Sequence, residues 1–425
     1  MEGLNTEPEW YASKRNEIDS WIDDDNRRKG LDRAVVAYTA AKESAIARLK
    51  GLEEIRKEVR KIKENSMESL QELVKEAMEN IEEVNGHAYL AKDAKEAQKI
   101  FSKLVGEDKL VVKSKSMVSE EIHLNKLLEK LGNKVYETDL GEFIIQLRNE
   151  KPTHILNPSV HIPKEEVAKT FSKLIGREIE ADIPTLVGIA REYLRDKFCN
   201  ADVGITGANV IAANTGTMFI IENEGNARFV SNAPPVHICI TGVEKVVPTL
   251  SDAFKVVQVL PPYATGVLMS AYVSMITSPS RTADIEKTLV YGAHGPKELH
   301  VVFLDNGRIE MLKDPIFREA LYCLRCGGCM YECPVYRVTG GSFGHNYFGG
   351  IGIIWSAFTS GEETVAAAID ACTKCGRCIE VCPVDIDTPK MVEKLKERLI
   401  KKGYISPKHK AIRKNILEKG NPFGE

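Results

Sequence analysis

The chain has 425 residues, enough for two or three domains. Apolar content of 43% and charged content of 28% match an ordinary globular protein and exclude a disordered or fibrous chain. A net charge of −3 leaves no basic excess for nucleic acid or an anionic membrane surface. The N-terminus, MEGLNTEPEWYASKRNE, lacks the apolar centre of a signal peptide. The longest apolar runs, near Val267–Ile276 and Ile351–Phe358, fall well short of the roughly 18 residues that a membrane span needs. A cytoplasmic protein is expected.

Residues 1–85 read as an N-terminal helical region. Ile46, Leu49, Leu52, Ile55, Val59 and Ile62 recur every three or four residues, and a second stripe follows with Leu70, Val74, Ala77 and Ile81. Lys and Glu occupy the other face, so a solvated helical cap on the next domain is expected, with a partner-binding arm as the alternative.

Residues 86–310 alternate β-rich runs with helical stretches, the pattern of an α/β domain. Strands are expected at Leu110–Lys113, Lys134–Thr138, His154–Asn157, Val203–Val210, Met218–Glu222, Val236–Thr241 and His300–Leu304. Helices are expected at Val118–Leu131, Lys164–Ile175 and Ile183–Phe198, the last with Pro184 in its first turn. Small-residue loops punctuate this region. In KSKSMVSEE (113–121), Ser119 is a candidate helix cap, and Lys113 and Lys115 stand beside a helix start that could hold a carboxylate or phosphate. Asn214, Thr215 and Gly216 form a second small-residue turn, a candidate donor set for the same anion. Glu222 is the candidate general base, with Glu224 close by. Turn residues and solvated carboxylates are common, and no loop here matches a phosphate-binding or dinucleotide fingerprint. Neither a flavin nor a nicotinamide motif is recognised in the chain. Cys199 and Cys239 stand apart and receive no role.

Residues 311–390 hold the other eight of the ten cysteines. They read CLRCGGCMYECPVY and CTKCGRCIEVCPVD, each a C-x2-C-x2-C-x3-C-P run of the kind that binds a [4Fe–4S] cluster. Zinc knuckles instead pair two C-x2-C units for four ligands in all. In two-cluster ferredoxins the fourth cysteine of a run ligates the other cluster. That rule assigns Cys323, Cys326, Cys329 and Cys382 to one cluster, and Cys372, Cys375, Cys378 and Cys333 to the second. Gly327, Gly328 and Gly376 leave room for sulfide near the backbone. The linker between the runs is glycine-rich and poor in charge, suited to packing around a cluster or a partner. His345 within it is read as structural rather than as a ligand. Thr364–Cys372 is expected to be helical. The remainder, 391–425, should be an amphipathic helix at Met391–Lys401 and a loose tail.

Taken together, KSKSMVSEEIHLN (113–125), ETDLGEFIIQL (137–147), ADVGITGANVIAANTGTM (201–218), SRTADIEKTLVYGAHGPKELHVVFLD (280–305) and the paired cysteine runs resemble one family. It is the iron–sulfur subunit of the lactate-utilisation system, of the LutB or LldF type. The resemblance covers roughly residues 30 to 390. It implies a LUD domain related to NagB, RpiA and CoA-transferase folds, followed by an α-helical ferredoxin-like module with two [4Fe–4S] clusters. It implies a subunit of a lactate-oxidising complex rather than a complete enzyme. Its partners would be a cysteine-rich subunit akin to heterodisulfide reductase, a flavin-containing dehydrogenase subunit, and a small LUD protein. The glycine-rich linker departs from the family pattern, and typical members run on beyond the second cysteine run. Two other readings stand beside this one: a LUD domain that itself oxidises a small hydroxy acid, with Glu222 as base, and a non-catalytic scaffold.

Overall fold

The structure is a computed structural model that describes residues 8–424; residues 1–7 of the expected N-terminal region, and Glu425, lie outside it. Among the described residues four helices come first: Glu9–Ile22, Asp25–Arg48, Leu52–Glu68 and Leu70–Glu83. Asp24 caps the second, accepting from the N–H groups of Asn26 and Arg27. The apolar stripe from Ile46 to Ile62 is split between two helices. Gly51 adopts φ +77°, a left-handed turn that stops the helical path.

Twelve strands follow in chain order: β1 (His87–Ala91), β2 (Leu110–Lys113), β3 (Lys134–Glu137), β4 (Val203–Gly207), β5 (Val210–Ala212), β6 (Thr217–Glu222), β7 (Val236–Gly242), β8 (Val246–Val247), β9 (Tyr272–Ile276), β10 (Arg281–Thr282), β11 (Val290–Tyr291) and β12 (Glu298–Leu304). Six of them form a sheet ordered β1-β12-β7-β4-β2-β3, and every pairing in it is parallel. Its central strands are nearly continuous apolar runs, as burial on both faces requires. A smaller sheet, β8-β5-β6-β9, packs beside it, and β10 with β11 makes a two-stranded ribbon.

The expected strand Val203–Val210 is therefore two strands in different sheets, broken at Ala208–Asn209, where Asn209 ties the turn by accepting from Ile221 N–H. His154–Asn157 is not a strand. The His154 ring takes the N–H groups of Leu156 and Asn157 on its Nδ1, donors that a sheet would otherwise use. The expected helix at Val118–Leu131 breaks into Met117–Glu121 and Leu124–Lys130 around His123, whose φ is +50°. Its cap is not Ser119, which donates to Ser116 O inside the first turn. Thr364–Cys372 forms two short 3-10 turns rather than one helix. The tail beyond Thr388–Lys401 folds into a further helix, Pro407–Lys419.

One apolar core runs from the N-terminal helices through the smaller sheet into the cysteine module. It holds Val59, Ala77, Met218, Val257, Trp355 and Leu395 together. Separate cores lie between the large sheet and the helix Ala94–Val105, and among the helices Leu140–Arg148, Lys164–Ile175 and Ile183–Asn200. Close approach is bought locally by Gly204, where a Cβ would meet Val230 O at 1.9 Å.

Candidate iron–sulfur centres and the adjoining cavity

The two cysteine runs fold alike. Arg325 and Lys374, each two residues after the first cysteine, have φ +63° and +55°. Gly327 and Gly376 follow at φ +74° and +82°, each opening a single helical turn, Gly328–Tyr331 and Arg377–Glu380. Two left-handed residues in four curl each loop tightly, so that its first three cysteines come to face one hollow.

Cys323, Cys326, Cys329 and Cys382 line one cavity, walled by Leu324, Met330, Phe348, Ile351, Trp355 and Ile386. Cys333, Cys372, Cys375 and Cys378 line another. The fourth cysteine of each run thus stands among the first three of the other. Cys378 also borders the first cavity and Cys329 the second, so the two hollows abut. The residues fit a [4Fe–4S] group: four cysteines line each hollow, the first within apolar walls, and the buried Trp355 Nε1, on the wall of the first cavity, has no hydrogen-bond partner among the described residues. A bound cluster offers sulfur acceptors of the kind such a donor lacks. His345 borders neither hollow and sits in a separate recess with Trp21 and His161. Cys239 is fully buried in β7, where burial pushes its thiol up to about 12, and Cys199 is exposed.

A third cavity, of about 280 Å³, opens between the α/β domain and the first cysteine loop. It lies where loops leave the C-terminal ends of β2, β4 and β7, the position that parallel sheets commonly use for ligands. Ile155, Arg325 and Tyr347 form part of both this cavity and the first cysteine cavity.

The residues singled out in the sequence divide between cavity and core. Lys115, Glu222 and Glu224 line the cavity. Lys113 does not: it is 1% exposed and pairs with Glu137 at 2.8 Å, while Ser119 Oγ lies 2.9 Å from its Nζ. Burial opposes its charge, but Glu137 and Glu120 hold its pKa above the usual lysine range. Asn214, Thr215 and Gly216 do not reach the cavity either. Asn214 Oδ1 accepts from Leu250 N–H, Thr215 bonds to Thr217, and Gly216 lies against Ile81 of the Leu70–Glu83 helix. The sequence-based picture of Lys113 facing Asn214–Gly216 across one pocket is therefore not what the fold builds.

Within the cavity, Lys115 pairs with Asp139 at 2.9 Å and also donates to Leu156 O. Both oxygens of Glu222 accept backbone N–H groups, from Ala227 and Arg228 at 2.8 Å, which anchors the helix Asn226–Asn232. Among the described residues, Glu224 accepts only from Leu140 N–H, at 3.2 Å. Crowding by protein, and then nearby Asp139, push its carboxyl to about 7.

Arg325 and Lys245 are among the cavity residues that escaped the sequence reading. Arg325 lies between the first two cysteines, stacked on Trp355 at 3.6 Å and Tyr347 at 4.3 Å, and paired with Glu244 at 3.4 Å. Lys245 follows β7 and is 7% exposed, without a hydrogen bond or ion pair among the described residues. The one signal for it is a charged Glu-Lys pair interrupting the apolar run ICITGVEKVVP. Glu244 also binds Arg308, which pairs with Glu121 at 2.7 Å, and Tyr347 donates to Glu121.

A LUD domain that carries a two-cluster iron–sulfur module is the class this architecture defines. The LUD domain family matches residues 74–304, and the 4Fe-4S dicluster domain matches residues 319–386, so two [4Fe–4S] clusters are the cofactors. Lactate utilization protein B of Shouchella clausii (strain KSM-K16) is 37% identical over 378 residues, covering 88% of this chain and 77% of that protein. The Bacillus subtilis (strain 168) protein of the same name is 35% identical over 397 residues, covering 92% and 81%. The chain belongs to the lactate utilization protein B family and carries its 4Fe-4S dicluster domain. Among solved structures, a DUF162 family protein from Deinococcus radiodurans overlaps 56% of this chain and 98% of its own, with a TM-score of 0.31 and 14% identity. Among the described residues no helix is long and apolar enough to cross a membrane.

Proposed function

We propose that the chain is the electron-transfer subunit of a cytoplasmic complex that oxidises lactate to pyruvate. The observation that carries this reading is the abutment of the two cysteine cavities through Cys329 and Cys378. The ligand sets are Cys323, Cys326, Cys329 and Cys382 for one cluster, and Cys372, Cys375, Cys378 and Cys333 for the other. Bound there, the clusters supply two one-electron centres with potentials set by their surroundings. Lactate oxidation releases two electrons and two protons, so two such centres match its electron count. The protein's part is to hold the first group in apolar walls, bordered by Trp355 and the stacked Arg325, and the second nearer the surface beside Lys374, the exposed Cys375 and Arg377. Electrons would pass to or from a cysteine-rich subunit akin to heterodisulfide reductase, a flavin-containing dehydrogenase subunit or a small LUD protein.

A second reading makes the LUD domain the site of substrate chemistry, with the clusters as electron outlet. What favours it is the wall that the LUD cavity shares with the first cysteine cavity. One experiment separates the two. The native complex and the isolated holoprotein are each mixed anaerobically with L-lactate, and cluster absorbance is followed. Bleaching in the complex alone supports the carrier reading, and bleaching in the isolated chain supports the second. A complex that stays oxidised with lactate, yet bleaches with dithionite, refutes both.

A further inference from the structure

The cavity between the LUD domain and the first cysteine loop contains a lysine whose charge is favoured by Glu244 nearby but whose ammonium has no direct hydrogen-bond or ion-pair partner among the described residues. Lys245 is more than nine-tenths buried, lines this cavity, and makes no hydrogen bond or ion pair among the described residues. A buried ammonium without a partner is costly, and a fold retains one where something else completes it. Apart from Glu224, the other charged side chains of the cavity are already engaged. Lys115 is held by Asp139, Glu222 by two backbone N–H groups, and Arg325 by Glu244 and two aromatic rings.

Neutral donors stand in the same walls. Asn209 and Asn223 each use the amide oxygen to accept a backbone N–H, from Ile221 and Ala271. Their NH2 groups make no hydrogen bond within the described protein, and both residues line the cavity. Glu224 keeps one oxygen free, and its carboxyl sits near neutrality. The cavity thus offers one positive charge, two amide donors and one carboxyl able to accept or return a proton. Its volume of about 280 Å³ suits a small metabolite rather than a nucleotide-sized cofactor.

We propose that this cavity binds a small carboxylate anion, a 2-hydroxy or 2-oxo acid, with Lys245 receiving the carboxylate and the asparagine amides receiving the neighbouring oxygen. The proposal deepens the lactate-utilisation reading by giving this chain an acid-binding site of its own, against the wall of the first cluster. A counter-charge role toward Cys323 is the competing role, and the two make different predictions below. Lys245 opens on the LUD cavity and is not part of the lining of either cysteine cavity.

The test uses anaerobically purified holoprotein with both clusters present. Titration calorimetry is run with L-lactate, with pyruvate, and with lactamide as the uncharged analogue. Wild type should bind at least one of the two acids and bind lactamide at least tenfold more weakly, since a charge-assisted contact to a desolvated carboxylate is lost. Lys245→Met should weaken the acid at least tenfold while iron content stays at the wild-type level. Its unfolding midpoint should equal or exceed that of wild type, because an unpaired buried charge is removed. Lys245→Arg should recover part of the affinity. Binding of the acid should also alter the electron paramagnetic resonance of the reduced protein, through the shared wall.

The proposal is overturned if wild type binds neither acid, if lactamide binds as well as lactate, or if Lys245→Met binds normally. It is likewise overturned if that variant shifts a cluster potential and leaves affinity unchanged, which would make Lys245 a counter-charge. Iron content and dithionite reduction, measured with no acid present, report on the electron-carrier reading separately.

Discussion

Replacing Arg308 by Met should damage both halves of the molecule at once. Arg308 is fully buried, as are Glu121 and Glu244, the two carboxylates it bridges. The three follow β2, β7 and β12, so the guanidinium ties together loops at the C-terminal ends of three interior strands of the large sheet. From there the network reaches the cysteine module through Arg325 on Glu244 and Tyr347 on Glu121. Burial works against charge on Glu244, but Arg308 and then Arg325 hold its pKa down at about 2. Arg308→Met therefore leaves two buried carboxyl groups in a dry site with one cationic partner fewer. Breaking a buried pair in this way costs about 3–5 kcal/mol, on the order of 10 °C in unfolding midpoint for a domain of this size. The double variant Arg308→Met/Glu121→Gln removes one orphaned charge and keeps an acceptor for Tyr347. It should recover about 2 kcal/mol of the loss, a coupling that independent sites would not show. Circular dichroism and cluster absorbance, followed together in anaerobic melts at one scan rate, read both effects. A single variant within 1 kcal/mol of wild type, or a double variant no more stable than the single, would refute the network as a structural tie.

Cys333→Ser should abolish the cluster of the Cys372 run and spare that of its own run, as separate signals in Mössbauer spectra would report. Damage confined to its own run would contradict the crossed ligand sets. Lys113→Met should destabilise the fold by about 3 kcal/mol by orphaning buried Glu137, with acid affinity in calorimetry unchanged; weaker binding in a protein of normal stability would restore Lys113 to the site. For Glu224, burial raises the folded pKa to about 7, so the protonated form is the one the fold favours. That contribution is complete below the unfolded value near 4.5 and is lost as pH rises through 7. Glu224→Gln should thus gain stability relative to wild type between about pH 5 and pH 8, and a flat difference in melts across that range would contradict the assignment.

The cysteine runs were legible because cluster loops are local: spacing alone dictates where three sulfurs turn, and the rule for the fourth needs only one more residue. Strands such as Leu110–Lys113 and the helix Lys164–Ile175 were equally legible, since apolar period and flanking breakers lie within each segment. Lys113 and Lys115 were not separable by such reasoning. They are two residues apart in one polar loop, yet Lys113 ends β2 in parallel register with Glu137, the last residue of β3, and is drawn into the interior by that carboxylate. The clue, two neighbouring strands ending in opposite charges, means nothing until their pairing is known. Asn214–Gly216 has turn chemistry and turns, but toward the Leu70–Glu83 helix. Arg325 and Lys245 become neighbours of one cavity only because the cysteine module folds back on the sheet, a contact between segments about 80 residues apart in sequence.

That folding back also decides whether the cluster module is a separable part. The first cysteine cavity borrows Ile155 from the LUD domain. His154, stacked on Tyr331 at 4.2 Å, leaves no space for a Cβ at Gly327. Tyr38, from the N-terminal helices, donates to Tyr263 O at 2.7 Å and fills the space beside Gly328. The second cavity is lined by residues of the module alone. Residues 311–425 expressed by themselves should therefore assemble the second cluster more readily than the first, and iron should fall from about eight per chain toward about four. Full occupancy of both sites in that fragment would mean that the LUD wall is a neighbour of the first cluster and not part of its support.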